Sequence, residues 1–240
     1  MVAPCAQADD ANTILKAMSD YVASQKNISV TFDSDIEVIT PDIQKLQFTS
    51  SGQLMLSRPD KLRATRTGGY TDVEFVFDGK TLTVHDRDNN MYAQSDAAGS
   101  IGQLVERLRS EFLVEAPGAD LLLSGSYDIL TENVIDSKHI GLGVINGVEC
   151  EHLAFRTADT DWQIWVEAGD RPIPRKYVIT NKGVTGGPQY TLLIRDWKTD
   201  AQPAADAFTF NAPPGTAKID FKGLGQIDEV PGGAIMGEKQ

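Results

Sequence analysis

Three changes of hydrophobic period divide the chain. Ile14, Leu15, Met18, Tyr21 and Val22 recur at the i, i+4, i+7, i+8 spacing that gathers side chains on one face of an α-helix. Asp9 or Asp10 stands where such a helix is capped, because a short carboxylate accepts from the free N–H groups of the first turn, and the pattern ends near Asn27. From Ile28 the period becomes two, as in a strand whose side chains alternate between faces: Ser29 to Phe32, Asp35 to Val38 and Leu46 to Phe48 all alternate. Gly52 to Arg58 reads as a strand with Leu54 and Leu56 on one face, broken at Arg58-Pro59-Asp60 before Lys61 to Ala64 resumes it. Val73, Phe75 and Phe77 share a face, Asp78-Gly79 turns the chain, and Leu82 and Val84 return beside them.

After a turn over Asp86 to Asn90 and a short strand through Tyr92, the period is helical again. Ile101, Leu104, Val105, Leu108 and Phe112 form one stripe behind a Ser100 cap. A second helical piece follows Pro117, where Leu121, Leu122 and Leu123 are apolar on all sides, and Ser126 to His139 is predicted as a third helical stretch. Strands then resume: Leu142 to Ile145, Val148 to Arg156, Trp162 to Glu167, Lys176 to Thr180 and Tyr190 to Lys198. The first two are joined by Asn146-Gly147, a pair suited to the positive φ angles of a two-residue hairpin turn. Phe208 to Phe210 reads as one further short strand, and the Gly-rich stretch over residues 223–240 as a flexible C-terminal tail.

A meander of antiparallel strands with Val, Leu, Phe and Tyr on one face needs a cover, and the helices supply it. The expected fold is mainly β with α: a curved antiparallel sheet forming an incomplete, half β-barrel covered by helices, one domain over residues 9–222. A chain of 240 residues buries roughly 70–75% of the surface it exposes when unfolded, so neither disulfides nor a structural metal are needed. The net charge of −12 argues against a nucleic-acid partner, whose affinity comes from Lys and Arg neutralising phosphates, and against binding an anionic membrane by charge. No apolar run reaches the roughly 18 residues of a membrane span. Ala6-Gln7-Ala8, followed by Asp9-Asp10, has the form of a signal-peptidase site, so residues 1–8 read as a signal-peptide remnant or disordered N-terminus and the protein as periplasmic. Cleavage there would remove Cys5 and leave Cys150 as a lone thiol. Pro4 sits where a lipoprotein box needs a small residue, which argues against lipid attachment at Cys5.

Two separated blocks carry a family resemblance. Gly52-Gln53-Leu54-Met55-Leu56-Ser57-Arg58-Pro59-Asp60-Lys61-Leu62-Arg63, followed by Phe77-Asp78-Gly79-Lys80-Thr81-Leu82, resembles the "strand, Arg-Pro, strand, Asp-Gly-Lys" block of LolA-like lipoprotein carriers. Cys150 to Arg156, with Asp161-Trp162-Gln163-Ile164-Trp165 and Pro172-Ile173-Pro174-Arg175-Lys176-Tyr177, is similar to DUF2092, a family of predicted periplasmic proteins in the same LolA/LolB-like superfamily. The resemblance implies an eleven-strand-like half barrel with a helical lid over an interior that, in the carriers, accepts lipoprotein acyl chains. It also implies that Arg58 holds the lid shut through hydrogen bonds to helix backbone, a task suited to a guanidinium with five donors. Between the lid helices and Gly147 the chain departs from the carriers, which sets lipoprotein shuttling apart from the rest of the resemblance.

No catalytic constellation competes with this. His85, His139 and His152 lie on different elements without H-x-x-x-H spacing, the two cysteines lack zinc-site spacing, and the Asp86 to Asn90 turn lacks the glycine and glutamate of a calcium loop. Cys150 and His152 share a strand face without a third, orienting group, and neither a G-x-S-x-G elbow nor a phosphate loop occurs. Trp162, Trp165 and Trp197 read as packing aromatics or as walls for a sugar or lipid. The expectation is therefore a monomeric, non-enzymatic carrier without cofactor or metal. Its partner would be an apolar ligand such as a lipid or a lipoprotein acyl chain, delivered or received by an envelope protein. The ligand cavity would be lined by Leu56, Phe75 and Phe77 on the sheet and by Leu104, Leu108 and Leu122 on the lid, with Arg58 closing it. The alternative is a structural or protein-interaction module with a solidly packed interior.

Overall fold

The computed structural model describes residues 4–111, 117–199, 202–221 and 230, with side-chain surroundings from residue 10 onward. In chain order the elements are α1 (Pro4–Ser24), β1 (Asn27–Ile39), β2 (Lys45–Ser57), β3 (Lys61–Gly68), β4 (Asp72–Phe77), β5 (Thr81–Asp86), β6 (Met91–Asp96) and α2 (Ile101–Ser110). A 3-10 helix (Ala119–Leu122) and α3 (Ser126–Thr131) follow, and then β7 (Asp136–Ile145), β8 (Val148–Arg156), β9 (Thr160–Glu167), β10 (Pro174–Asn181), β11 (Gln189–Lys198) and β12 (Ala217–Ile219). The strands hydrogen-bond into one open sheet of twelve, ordered β12-β6-β5-β4-β3-β2-β1-β11-β10-β9-β8-β7. The mainly-β, open-sheet expectation therefore holds, with one strand more than the resemblance implied.

The chain divides into two compact units. The first comprises residues 1–25, 34–47 and 117–194. Here β7 to β10 pair antiparallel, and β11 pairs with β10. Cross-strand partners share a face, and one such row runs Leu153, Ile164, Tyr177, Leu192 across β8 to β11, every member buried. Helix α1 lies against β7, β8 and β9. It buries Ala11, Leu15, Met18 and Val22 completely; of the stripe that the spacing anticipates, Leu15, Met18 and Val22 are thus buried, whereas Ile14 and Tyr21 are half-buried. Two polar side chains fix its rotation. Ser19 Oγ lies 2.7 Å from Ser126 Oγ and accepts from Tyr127 N at 2.9 Å, while Asn12 Nδ2 donates to Ser137 Oγ at 3.2 Å.

The second unit comprises residues 26–33, 48–116 and 195–240. Strands β3 to β6 pair antiparallel with β2 beside β3, and β12 adds in parallel to β6 through Ala217↔Met91. Helix α2 begins at a capping box: Ser100 Oγ accepts from Gln103 N and Ser100 N donates to Gln103 Oε1.

Three sequence expectations are corrected. The helix expected over Ser126 to His139 stops at Thr131: Asn133 takes φ 61°, Ile135 N donates to Arg156 O, and β-branched Val134 and Ile135 lead into β7 instead. Phe208 to Phe210 is not a strand, since Thr209 N closes a turn on Asp206 O; the short added strand is β12. The helical piece expected after Pro117 is a single 3-10 turn over Ala119–Leu122, with Leu123 extended beyond it and Leu121 and Leu123 buried. The Asn146-Gly147 hairpin holds, with φ angles of 49° and 81° and Ile145 paired to Val148. Phe112 and the expected tail, apart from Val230, lie outside the described residues, and α1 begins at Pro4, inside the stretch read as a leader remnant.

Candidate ligand-binding site

Register assembles an apolar row across four strands of the second unit: Leu56 opposes Leu62, Leu62 opposes Phe77, and Phe77 opposes Leu82. A second row runs Ala64, Phe75, Val84. The spacing of α2 turns Ile101, Leu104, Val105 and Leu108 to its buried side, and Leu104 and Leu108 pack with Val73, Phe77, Leu82, Val84 and Ala97 in one cluster. Phe75 and Leu62 pack partly against the same cluster. Of the six residues expected to line a cavity, Leu56, Phe75, Phe77, Leu104 and Leu108 thus belong to one unit and, Leu56 apart, to one packed cluster; Leu122 belongs to the other unit.

The Arg58-Pro59 step meets α2 through its backbone, Ile101 N donating to Pro59 O at 2.9 Å, while Arg58 N donates to Lys26 O at 2.8 Å. Burial lowers the pKa of the Arg58 guanidinium from its ordinary value. The turn that carries Arg58 therefore also anchors the first turn of the helix expected to act as lid.

The opposite face of the same strands is polar and covered. Glu74, 5% exposed, receives Arg63 Nε and Nη2 at 2.7 Å on one oxygen and Arg87 Nη2 at 3.1 Å on the other. His85 Nδ1 stands 3.6 Å from that second oxygen. Burial alone would raise the Glu74 carboxyl, but the hydrogen bonds and charges of Arg63 and Arg87 outweigh it and hold the pKa below the ordinary glutamate range. A C-terminal segment closes over this cluster: Arg63 Nη1 donates to Ala207 O, and the Phe210 ring lies 5.5 Å from His85 and 5.1 Å from Tyr92. Sequence reasoning missed this arrangement. Its signal was there, since Arg63, Glu74 and His85 fall at alternate positions to the apolar residues of three consecutive strands.

The remaining candidates are structural. His139 Nε2 lies 2.7 Å from Glu151 Oε2, and His152 Nε2 lies 2.9 Å from Gln163 Oε1 with its ring stacked 4.1 Å from Trp165. Trp162 is buried against Phe155 at 4.0 Å. Burial pushes the Cys150 thiol up, the opposite of what an activated nucleophile requires. Asp86 is buried and accepts from Asn89 N and Nδ2, while Arg87, Asp88, Asn89 and Asn90 of the same turn are exposed, as in a solvated turn. Among the described residues no three His, Cys, Asp or Glu side chains form a metal-ligating group, and no helix is long and apolar enough to cross a membrane.

Residues 11–222 match the family model described as "Predicted periplasmic protein (DUF2092)". The chain belongs to this family. The family's description agrees with the periplasmic location read from the sequence. No protein of curated function matches the sequence. Among solved structures, the chain is similar to an uncharacterized conserved protein from Thermus thermophilus, with 10% identity, a TM-score of 0.52 and coverage of 88% of this chain and 99% of that one. It is also similar to LprF from Mycobacterium bovis, with 12% identity, a TM-score of 0.50 and coverage of 82% and 96%. The Mycobacterium tuberculosis lipoprotein LppX shows 15% identity, a TM-score of 0.49 and coverage of 81% and 97%. At these identities the likeness is one of fold alone.

Proposed function

We propose that this DUF2092 member is a monomeric, non-enzymatic periplasmic carrier whose ligand is a lipid acyl chain, free or attached to a protein. The ligand would lie against the apolar face of β2 to β5 in place of α2. The observation that carries the reading is that a single ten-residue helix covers Val73, Phe77, Leu82 and Val84, all completely buried. Four buried side chains hold that helix: Ile101, Leu104, Val105 and Leu108. At about 1.5–3 kcal/mol each they supply roughly 6–12 kcal/mol, which an acyl chain recovers with about eight to fifteen methylenes at ~0.8 kcal/mol each. A common fatty acyl chain has that length, so exchange of helix for ligand is close to balanced. Arg58 would set the balance by steadying the turn on which α2 starts.

The cluster's tight packing also favours a second reading, a protein-interaction module whose interior admits no ligand. Native mass spectrometry of protein purified without detergent from an exporting host, with organic extraction of whatever accompanies it, separates the two. Stoichiometric lipid that leaves only on unfolding supports the carrier. A clean apo mass, with no uptake of added fatty acid or phospholipid, overturns it. Arg58→Ala is expected to speed ligand loss and raise protease sensitivity; unchanged values would remove Arg58 from the lid.

A further inference from the structure

Exposed large apolar side chains are concentrated on one edge of the sheet. Eight are exposed among the described residues, and four of them, Ile135, Ile140, Leu142 and Val144, lie on or beside β7, with 55–70% of their surface in solvent. Strand β7 ends the strand order, so among the described residues one side of its backbone has no neighbouring strand. At the other end of the order β12 is three residues long; β7 is ten. Long apolar edges invite strand addition, and proteins that must avoid it place charges there, shorten the strand or twist it away. On β7 the charged side chains sit toward one end, at Asp136 and Lys138, with His139 beside them, and a register shift between His139 and Gly141 leaves Ile140 exposed rather than tucked in. Beyond it the strand reads Gly141, Leu142, Gly143, Val144. Over residues 141–144 one face therefore carries two large apolar groups, and the other carries none until Ile145. A Cβ on Gly143 would approach the Trp165 ring to 3.2 Å, which keeps that second face bare.

Charge says what covers the edge. Leu142 pairs with Glu151 and Val144 with Glu149, so an acidic row lies directly inside the apolar one on the same face. Exposed Glu132 precedes the strand, while Asp136 opens it with Lys138 Nζ 3.3 Å away, so the acidic excess at the two ends lies with Glu132 and Glu149. A second copy of this chain would bring the same carboxylates and a net charge of −12 to its own edge. We propose that β7 is a docking strand for an extended segment of another periplasmic protein. That segment would alternate apolar residues with small polar ones and carry Lys or Arg at both ends. Backbone hydrogen bonds along β7 would provide the pairing, Leu142 and Val144 the register, and Glu149 and Glu132 the end contacts. This surface is separate from the α2-covered face and does not depend on the carrier reading.

The test uses a labelled ten-residue peptide, Lys-Val-Thr-Val-Thr-Leu-Thr-Val-Thr-Lys with blocked ends, and the full chain. Fluorescence anisotropy is expected to show saturable binding, and hydrogen exchange is expected to slow at least tenfold for amides of residues 136–145. Leu142→Glu should weaken binding at least tenfold while leaving the urea midpoint unchanged, because Leu142 is 63% exposed. Replacing both terminal lysines of the peptide by glutamate should weaken it severalfold at low salt. Absence of saturable binding, binding that leaves β7 amides unprotected, or equal binding by Leu142→Glu would overturn the proposal. So would light scattering that shows a dimer of the chain abolished by Val144→Asp, since the second copy would then be the occupant.

Discussion

Helices α1 and α2 each roof a set of antiparallel strands, yet they do so with unequal means. Along one stripe α1 places Ala11, Leu15, Met18 and Val22 at zero exposure, and Ser19 and Asn12 tie it to Ser126 and Ser137. Helix α2 has ten residues, and its four buried side chains retain 2–8% exposure. It is fastened at its N-terminal end by the Ser100 capping box and the Pro59 carbonyl, and in its last turn Arg107 Nη1 donates to Asp96 O at 2.6 Å. The strands beneath α2 also carry the Glu74 ion cluster on their other face, a support that does not involve the helix. Local opening follows local contact density, and the shorter helix, whose buried side chains keep some exposure, is expected to open before α1.

Mutation can break that comparison. Leu15→Ala removes a side chain with no exposure and is expected to cost about 2–5 kcal/mol of global stability, measured by urea unfolding. Leu104→Ala in α2 should appear first as faster amide exchange over residues 101–110, with a smaller shift of the unfolding midpoint. Equal midpoint losses with unchanged exchange would make the two helices equivalent and remove α2 as the opening element.

Glu74→Gln tests the support beneath α2. Removing the charge leaves Arg63 and Arg87 facing a neutral amide, and because both arginines are about one-third exposed the expected cost is about 2–3 kcal/mol at neutral pH. The sign of the pH dependence follows from the direction of the shift. The folded pKa of Glu74 lies below its unfolded value, so its contribution is present above the ordinary glutamate range and is lost as the pH falls through the folded value. Urea midpoints measured from pH 7 down to pH 3 should therefore converge for wild type and variant; a constant gap would place the stabilisation elsewhere.

The smallest expected effect sharpens the picture most. Ser100→Ala removes one half of the capping box and should cost about 1 kcal/mol, felt at α2 alone. Exchange at the Gln103 amide should rise while that of α1 is unchanged. If α1 responds equally, the two roofs open together.

Much of this fold was legible in the chain because it is written in periodicity. The stripe of α1, the Ser100 cap, the Asn146-Gly147 hairpin and the alternation of β4 and β5 depend on residues close in sequence, where backbone geometry alone decides which side chains share a face. The row of Leu56, Phe77, Leu104 and Leu108 was readable for the same reason, as apolar residues of strands and of an amphipathic helix that had to meet something. Ser126 to His139 misled because its first half is helical and its second half is drawn into β7 by pairing with β8, a partner far from any local window. Leu122 misled because an all-apolar triplet does not say which sheet it will face.

By itself the sequence determined that this is a two-period chain, helix on sheet, with a large acidic excess and the markers of a periplasmic family. Tertiary structure decided the rest: that Arg63, Glu74, Arg87 and His85 meet under Phe210, that Leu122 and Leu104 fall in different units, and that β7 is an edge strand rather than an interior one. Periodicity fixes which face of an element is apolar, because that is a property of bond geometry. Which partner covers that face is settled by contacts between residues tens to more than a hundred positions apart, such as Arg63 with Ala207, and those are determined only when the whole chain packs.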